Sequence, residues 1–319
     1  MGCELGASAS TIAAMADHIN NQNPATSASA ARLPIAKTFK LYIGGAFPRS
    51  ESGRSVVVSD GPGRGTAHAC LASRKDLREA VVAARKAQGG WAKASAYNRG
   101  QILYRMAEML EGKASEFVQL LRGAEPALDD AGAKREVAAS VDRLVAFAGW
   151  ADKYHHILGG QNAVAGPYWN ITVPEPTGVF AVIPPASPKL LGLVTMLAPV
   201  ICAGNAAVVI AACEAATVAS TFGEVCHTSD VPSGVVNILT GQVNELLPIA
   251  ADHRDVDGIH ALGLSAEHAK RLRLGTADNL KRVTIQPAST DVFDARSCCG
   301  PWWIEPFVEF KTVWHPVGA

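Results

Sequence analysis

GVFAVI (Gly178 to Ile183), KLLGLVTMLAPVIC (Lys189 to Cys202) and AAVVIAA (Ala206 to Ala212) open a stretch, residues 178–286, whose rhythm decides the fold. The first and third are short and almost wholly apolar, as strands covered on both faces are. The second has helical length, and Gly204-Asn205 closes it as a C-cap pair. The alternation continues with a helix from Glu214 to Thr228, a strand from Val235 to Thr240 and a helix from Asn244 to Asp252. A strand from Val256 to Leu262, a helix from Ser265 to Gly275 and a strand from Val283 to Gln286 complete it. Five strands separated by four helices predict an α/β fold, a Rossmann-like parallel sheet with flanking helices and right-handed crossovers.

Upstream the pattern changes. Residues 1–36 are rich in Ala, Ser and Asn without a sustained period and read as a disordered tail. No basic segment precedes an apolar one there, so a secretory leader is not expected. Residues 37–72 read as an antiparallel ribbon: strands Lys40 to Phe47 (KLYIGGAF), Ser55 to Ser59 and Ala67 to Leu71, with a glycine-rich loop from Asp60 to Gly65. Residues 73–290 hold a layer of helices and the Rossmann-like domain. Ser73 is placed to cap the first helix, through Leu77, Val81 and Ala84. A second helix runs from Asn98 to Leu121, and a third uses Val137, Val141, Leu144, Ala148 and Tyr154. Residues 291–319 form a linker, turn-like at Ala295 to Gly300, and a closing strand from Phe307 to Trp314 stopped by His315-Pro316. That isolated strand must pair, either with the N-terminal ribbon or with another subunit's sheet.

Composition narrows the function. Hydrophobic residues make up 48% and charged residues 18%, as in a folded globular chain. The 29 basic and 29 acidic residues cancel, so nothing marks a surface for nucleic acid or anionic lipid. The most apolar run, Leu190 to Ile201, is too short to cross a bilayer and contains Pro199. Seven cysteines at positions 3, 70, 202, 213, 226, 298 and 299 match no zinc or disulfide spacing, which implies a reducing, cytoplasmic setting.

Three segments carry a resemblance: PEPTGVFAVIP (174–184), LAPVICAGN (197–205) and VPSGVVNILTG (231–241). Their order and spacing resemble the nucleotide-binding domain of the aldehyde dehydrogenase superfamily. LYIGGAF (41–47) is similar to that family's first strand and KTVW (311–314) to its closing strand. The likeness is to short members lacking the catalytic domain and to the non-catalytic half of two-module aldehyde dehydrogenases. The resemblance implies a cysteine nucleophile, an asparagine that stabilises the oxyanion, a glutamate base and a bound NAD(P).

Set against those requirements, the chain departs from the family. Ser187, in Pro184-Pro-Ala-Ser-Pro188, stands at the asparagine position. Gln286, in Gln286-Pro-Ala-Ser-Thr290, stands at the glutamate position and cannot act as a base. The ribose-binding lysine gives way to Ile210 or Ala211. Residues at cofactor-binding positions are Ile183, Glu214, Gly241 and Gly263, so NAD(P) binding is expected to be weak or lost. Glu214 reads equally as an acidic first-turn residue of a helix. The cysteine motif is absent, and Cys298 and Cys299 are the only thiols near the expected region. After Gln286 the sequence continues only to Ala319, too little for a catalytic domain. The expectation is an aldehyde dehydrogenase-like pseudoenzyme, a structural or regulatory subunit that pairs with a full-length aldehyde dehydrogenase or with itself through Phe307 to Trp314. The alternative is an NAD(P)-dependent aldehyde oxidoreductase.

Other groupings read as structural. Adjacent His155 and His156 point in different directions on a helix. His253, Asp255, Asp257 and His260 flank a strand start and predict no metal site. Gly61, Gly63 and Gly65 precede no helix, so they form no phosphate loop.

Overall fold

The computed structural model describes residues 35–63 and 65–317. One compact unit begins at Ala36. The expected tail, residues 1–36, lies almost entirely outside the described residues.

The N-terminal ribbon comprises β1 (Thr38–Phe39), β2 (Ser55–Ser59) and β3 (Thr66–Cys70). β2 and β3 are antiparallel as expected, but β1 runs parallel to β3. KLYIGGAF is not a strand. Ile43 and Ala46 exchange backbone hydrogen bonds of 3.0 Å across Gly44 and Gly45, both at positive φ (60° and 81°). A tight primed-type turn requires that geometry, and two glycines provide it without steric cost. The turn lets Tyr42 bridge to Ile238 of the central sheet.

Four long helices follow: α1 (Arg74–Lys93), α2 (Ala96–Gly112), α3 (Ala114–Ala124) and α4 (Asp130–Trp150). Ser73 caps α1 with a full capping box, its Oγ accepting from Lys75 and Asp76 N–H while Asp76 accepts from Ser73 N–H. The expected helix from Asn98 to Leu121 breaks at Lys113 (φ −101°, ψ 10°), which divides α2 from α3. Tyr154 belongs to a separate short helix, α5 (Tyr154–Leu158).

Next come β4 (Gly160–Asn162), β5 (Tyr168–Pro176), β6 (Val179–Ile183), α6 (Lys189–Cys202), β7 (Ala206–Ala212), α7 (Ala216–Thr228) and β8 (Val236–Gly241). The chain then forms α8 (Val243–Asp252), β9 (Gly258–Leu262), α9 (Ala266–Ala277), β10 (Arg282–Gln286), α10 (Ala295–Cys298) and β11 (Val308–Pro316). Strands β10-β9-β6-β7-β8 form one parallel sheet, as the alternation requires. The chain winds outward from β6 to β8, then crosses to β9 on the other side, so the strand order reverses between β6 and β9. One face packs on α6, α7 and the helical layer α2 to α4 through a large apolar core. The other packs on α1, α8 and α9.

The closing strand does not return to the N-terminal ribbon. β11 pairs antiparallel with β5 of its own chain, from Val308↔Pro176 to Pro316↔Tyr168, and β4 completes a three-stranded sheet. β5 escapes sequence reading because Pro174 and Pro176 interrupt an alternating, half-polar segment.

Residues 287–307 link β10 to β11 as a strap. It places Val292, Ile304 and Phe307 in the core, with Phe307 edge-on to Phe180 of β6. Its segment from Ala295 is a short helix capped by Asp294, not a turn. Asn205 holds the strap's end, with Nδ2 donating to Phe307 O at 2.8 Å and Oδ1 accepting from Gly178 N–H at 2.7 Å.

Candidate functional site

The parallel sheet brings Ile183, Gly241 and Gln286 to one carboxyl edge, with Glu214 and Gly263 just beyond β7 and β9. In a doubly wound sheet that edge is where ligands sit. Gly263 adopts φ +71°, a turn that favours glycine, and its N–H donates to Gln286 O at 3.1 Å. Gly241 is crowded: a Cβ there would lie 3.3 Å from the backbone nitrogen of Ala72, which itself donates to Thr240 O. Ile210 is fully buried in the second apolar core. Glu214 is exposed and lines a cavity of about 160 Å³ with Val58, Gly123 and Cys213.

Ser187 lies between β6 and the start of α6. Its hydroxyl donates to Glu125 Oε2 at 3.2 Å. Lys189, nearly buried, donates to the same oxygen at 2.8 Å. The Lys189 hydrogen bond holds the Glu125 carboxyl below its ordinary pKa, against a partial desolvation. Within the first turn of α6, the Leu190 and Leu191 N–H groups donate to Glu136 Oε1 at 2.7 and 3.3 Å. Pro188 at the N-cap has no side chain to accept from them, so a carboxylate from α4 does. Burial raises the Glu136 pKa, and the two amide hydrogen bonds oppose that rise. The α6 N-terminus, a place suited to an external anion, is therefore already occupied by internal carboxylates.

The two candidate thiols lie on the strap, against the helical layer. Cys298 is fully buried, and its Sγ donates to Asp291 O at 3.5 Å. Cys299 is half-buried. Burial raises its pKa, and the charge and hydrogen bond of Arg143 only partly offset this. Arg143 is itself buried, donating to Thr195 Oγ1 and to Val292 O at 2.7 Å each. It fastens α4 to α6 and to the strap.

The histidine and aspartate grouping disperses. Asp257 accepts from Arg85 at 2.6 Å and from Val179 N–H at 2.7 Å, tying α1 to the sheet. His260 is buried beside Trp303 and Phe307, its Nδ1 donates to Met196 O at 3.0 Å, and burial lowers its pKa to about 4. Among the described residues no three His, Cys, Asp or Glu side chains converge as metal ligands.

Comparison with known proteins agrees with this architecture. The model of the Aldehyde dehydrogenase family matches residues 47–292. This chain belongs to the aldehyde dehydrogenase family. It is 31% identical over 261 residues to the cytosolic 10-formyltetrahydrofolate dehydrogenase of Mus musculus, covering 80% of this chain and 29% of that one. It is 31% identical over 250 residues to the mitochondrial benzaldehyde dehydrogenase of Antirrhinum majus, covering 77% and 46%. An aldehyde dehydrogenase structure from Bacillus cereus with NAD+ superposes with a TM-score of 0.72 at 25% identity, covering 79% of this chain and 51% of that one. The chain thus spans about half, or less, of each relative's length.

The Ser187 hydroxyl, already engaged with Glu125, offers no amide donor. The residues also fit a nicotinamide dinucleotide poorly. Ile210 and Ala211, the two candidates for the lysine position, are both buried and apolar, Gly241 is packed against Ala72, and the cavity at Glu214 is smaller than the roughly 300 Å³ of ordinary ligand pockets. Only residues 287–307 separate β10 from the closing strand. Sequence reasoning missed Glu125, Glu136, Lys189 and Arg143. Glu136 and Arg143 did leave a signal, because both lie with Ala133, Val137, Ser140, Leu144 and Phe147 on the buried stripe of α4.

Proposed function

We propose that this chain is a non-catalytic member of the aldehyde dehydrogenase family, a subunit that assembles with a complete aldehyde dehydrogenase. The α6 N-terminus carries the proposal. A tetrahedral oxyanion needs donors preorganised and free to receive it. Here the Leu190 and Leu191 amides serve Glu136, while Ser187 and Lys189 serve Glu125. A developing negative charge would meet two carboxylates instead. Gln286 supplies no base, and the family's cysteine motif has no counterpart in the strap.

Assembly rests on the three-stranded sheet. β11 leaves its outer edge unpaired among the described strands, and Phe310, Val313 and Trp314 are exposed beside Tyr168, Trp169 and Ile171 of β5. Such an edge recruits another chain. Affinity purification of the tagged chain from its host, with mass spectrometry and light scattering, tests the reading. A stoichiometric full-length aldehyde dehydrogenase is the expected companion. A lone homo-oligomer, or association unchanged after deletion of residues 307–319, would overturn it.

The alternative, an oxidoreductase, draws on one contact, Arg143 with the Cys299 thiol. Cys298→Ser/Cys299→Ser tests it: aldehyde-dependent NAD(P)H formation that the parent chain shows and the double variant lacks would favour turnover.

A further inference from the structure

We infer that the groove between the first two turns of α1 and the C-terminal half of α8 binds a small organic phosphate. This inference is independent of the pseudoenzyme reading. The groove encloses about 640 Å³, the size of an ordinary small-ligand site, and Ile183, Glu214, Gly241, Gly263 and Gln286 are not among the residues that line it. Its walls divide into two kinds. Pro248 and Ile249 of α8 form an apolar side, and Arg74 and Arg78 of α1 form a cationic one.

The charge balance within the groove favours an anion. Two carboxylates line it, and both are engaged. Glu51 accepts from Ser73 Oγ at 3.0 Å and lies 3.8 Å from Lys75. Asp252 pairs with Arg271 at 2.6 Å. Asp76, on the same helix, is buried and turned inward, accepting from Ser50 Oγ and Ser73 N–H. Arg74 and Arg78, by contrast, form no ion pair among the described residues. They are four residues apart, so their guanidinium groups rise from one face of α1 and can grip one phosphate from two sides. His253 adds a donor. Its Nδ1 accepts from Asp255 N–H at 3.2 Å, which leaves the neutral ring's proton on Nε2.

The helix dipole is not what makes the site. The Lys75 and Asp76 N–H groups are already bound by Ser73 Oγ, so side chains do the recognition. A bare inorganic anion would use only the arginines and leave the Pro248 and Ile249 wall wet. A phosphate with an apolar body uses both.

Phenyl phosphate titrated into the full chain, followed by calorimetry or by amide shifts, tests the assignment. Inorganic phosphate and benzoate serve as comparison ligands. The expected result is saturable phenyl phosphate binding that weakens about tenfold or more in Arg74→Met/Arg78→Met, about 1.4 kcal/mol per factor of ten. Both arginines are exposed, so the variant should keep the parent's circular dichroism and melting temperature. Ile249→Asp should weaken phenyl phosphate more than inorganic phosphate. Absence of binding at millimolar ligand, binding unchanged in the arginine variant, or inorganic phosphate binding as tightly as phenyl phosphate would each overturn the inference.

Discussion

The two larger sheets of this molecule both carry large apolar side chains and meet opposite environments. Every residue of β6 and β9 is buried, whereas β11 is exposed at every position after Val308. Yet β11 carries Phe310, Val313 and Trp314, and β5 opposite carries Tyr168, Trp169, Ile171 and Val173. The parallel sheet is sealed by helices on both faces. The antiparallel sheet is held by its own ladder, a Thr172–Thr312 hydroxyl contact of 3.0 Å and a Lys311–Glu175 pair of 3.2 Å. The difference separates buried residues that hold this fold from apolar residues that the described chain leaves exposed.

The sharpest way to break that contrast is to cut a large residue from each sheet. Phe180→Ala, in β6 against Phe307, should cost about 3–5 kcal/mol of stability by chemical denaturation. A loss below about 1 kcal/mol would mean that the strap does not complete the core.

Arg143→Met comes next. It leaves the Thr195 hydroxyl and the Val292 carbonyl without their donor, and should cost about 1–3 kcal/mol. Hydrogen exchange should show faster opening of residues 291–299 than of β6. Equal protection of both segments in the variant would show that Arg143 does not anchor the strap.

Glu136 provides a test by pH. Burial raises its folded-state pKa above the unfolded value. For such a group the stabilising contribution is complete below the unfolded pKa and is lost as pH rises through the folded one. Glu136→Gln keeps an acceptor for the Leu190 and Leu191 N–H groups and has no proton to lose. The variant should gain on the parent chain as pH climbs from about 4 toward neutrality. Parallel stability–pH curves would show that Glu136 does not titrate differently on folding.

The smallest stability change belongs to the exposed sheet. Phe310→Glu/Trp314→Glu should shift stability by no more than about 0.5 kcal/mol per site while abolishing association in light scattering. Association that survives would place the interface elsewhere.

Much of this contrast was legible in the sequence. The apolar runs at 179–183, 206–212 and 258–262 read as doubly covered strands because burial on both faces removes any need for alternation. Ser73 and Gly204 punctuate their helices by local chemistry, a hydroxyl for orphan amides and a positive φ of 93° that glycine adopts freely. KLYIGGAF misled because two glycines inside a short apolar run make a turn as readily as a bulged strand. At the candidate site, Gln286 and the pair Ile210 and Ala211 could be proposed from spacing to the neighbouring motifs. What surrounds Ser187 could not, because Glu125 stands 62 residues away.

The sequence alone therefore determined the order and type of most elements and the parallel sheet, since periodicity, capping and motif spacing act within a few residues along the chain. Tertiary structure decided the rest. It paired β11 with β5 across some 140 residues, aimed Glu136 at the α6 amides from 54 residues away, and dispersed a histidine–aspartate grouping that looked continuous in one dimension. Those outcomes depend on which surfaces meet once apolar faces are buried, and that is fixed only when the whole chain packs.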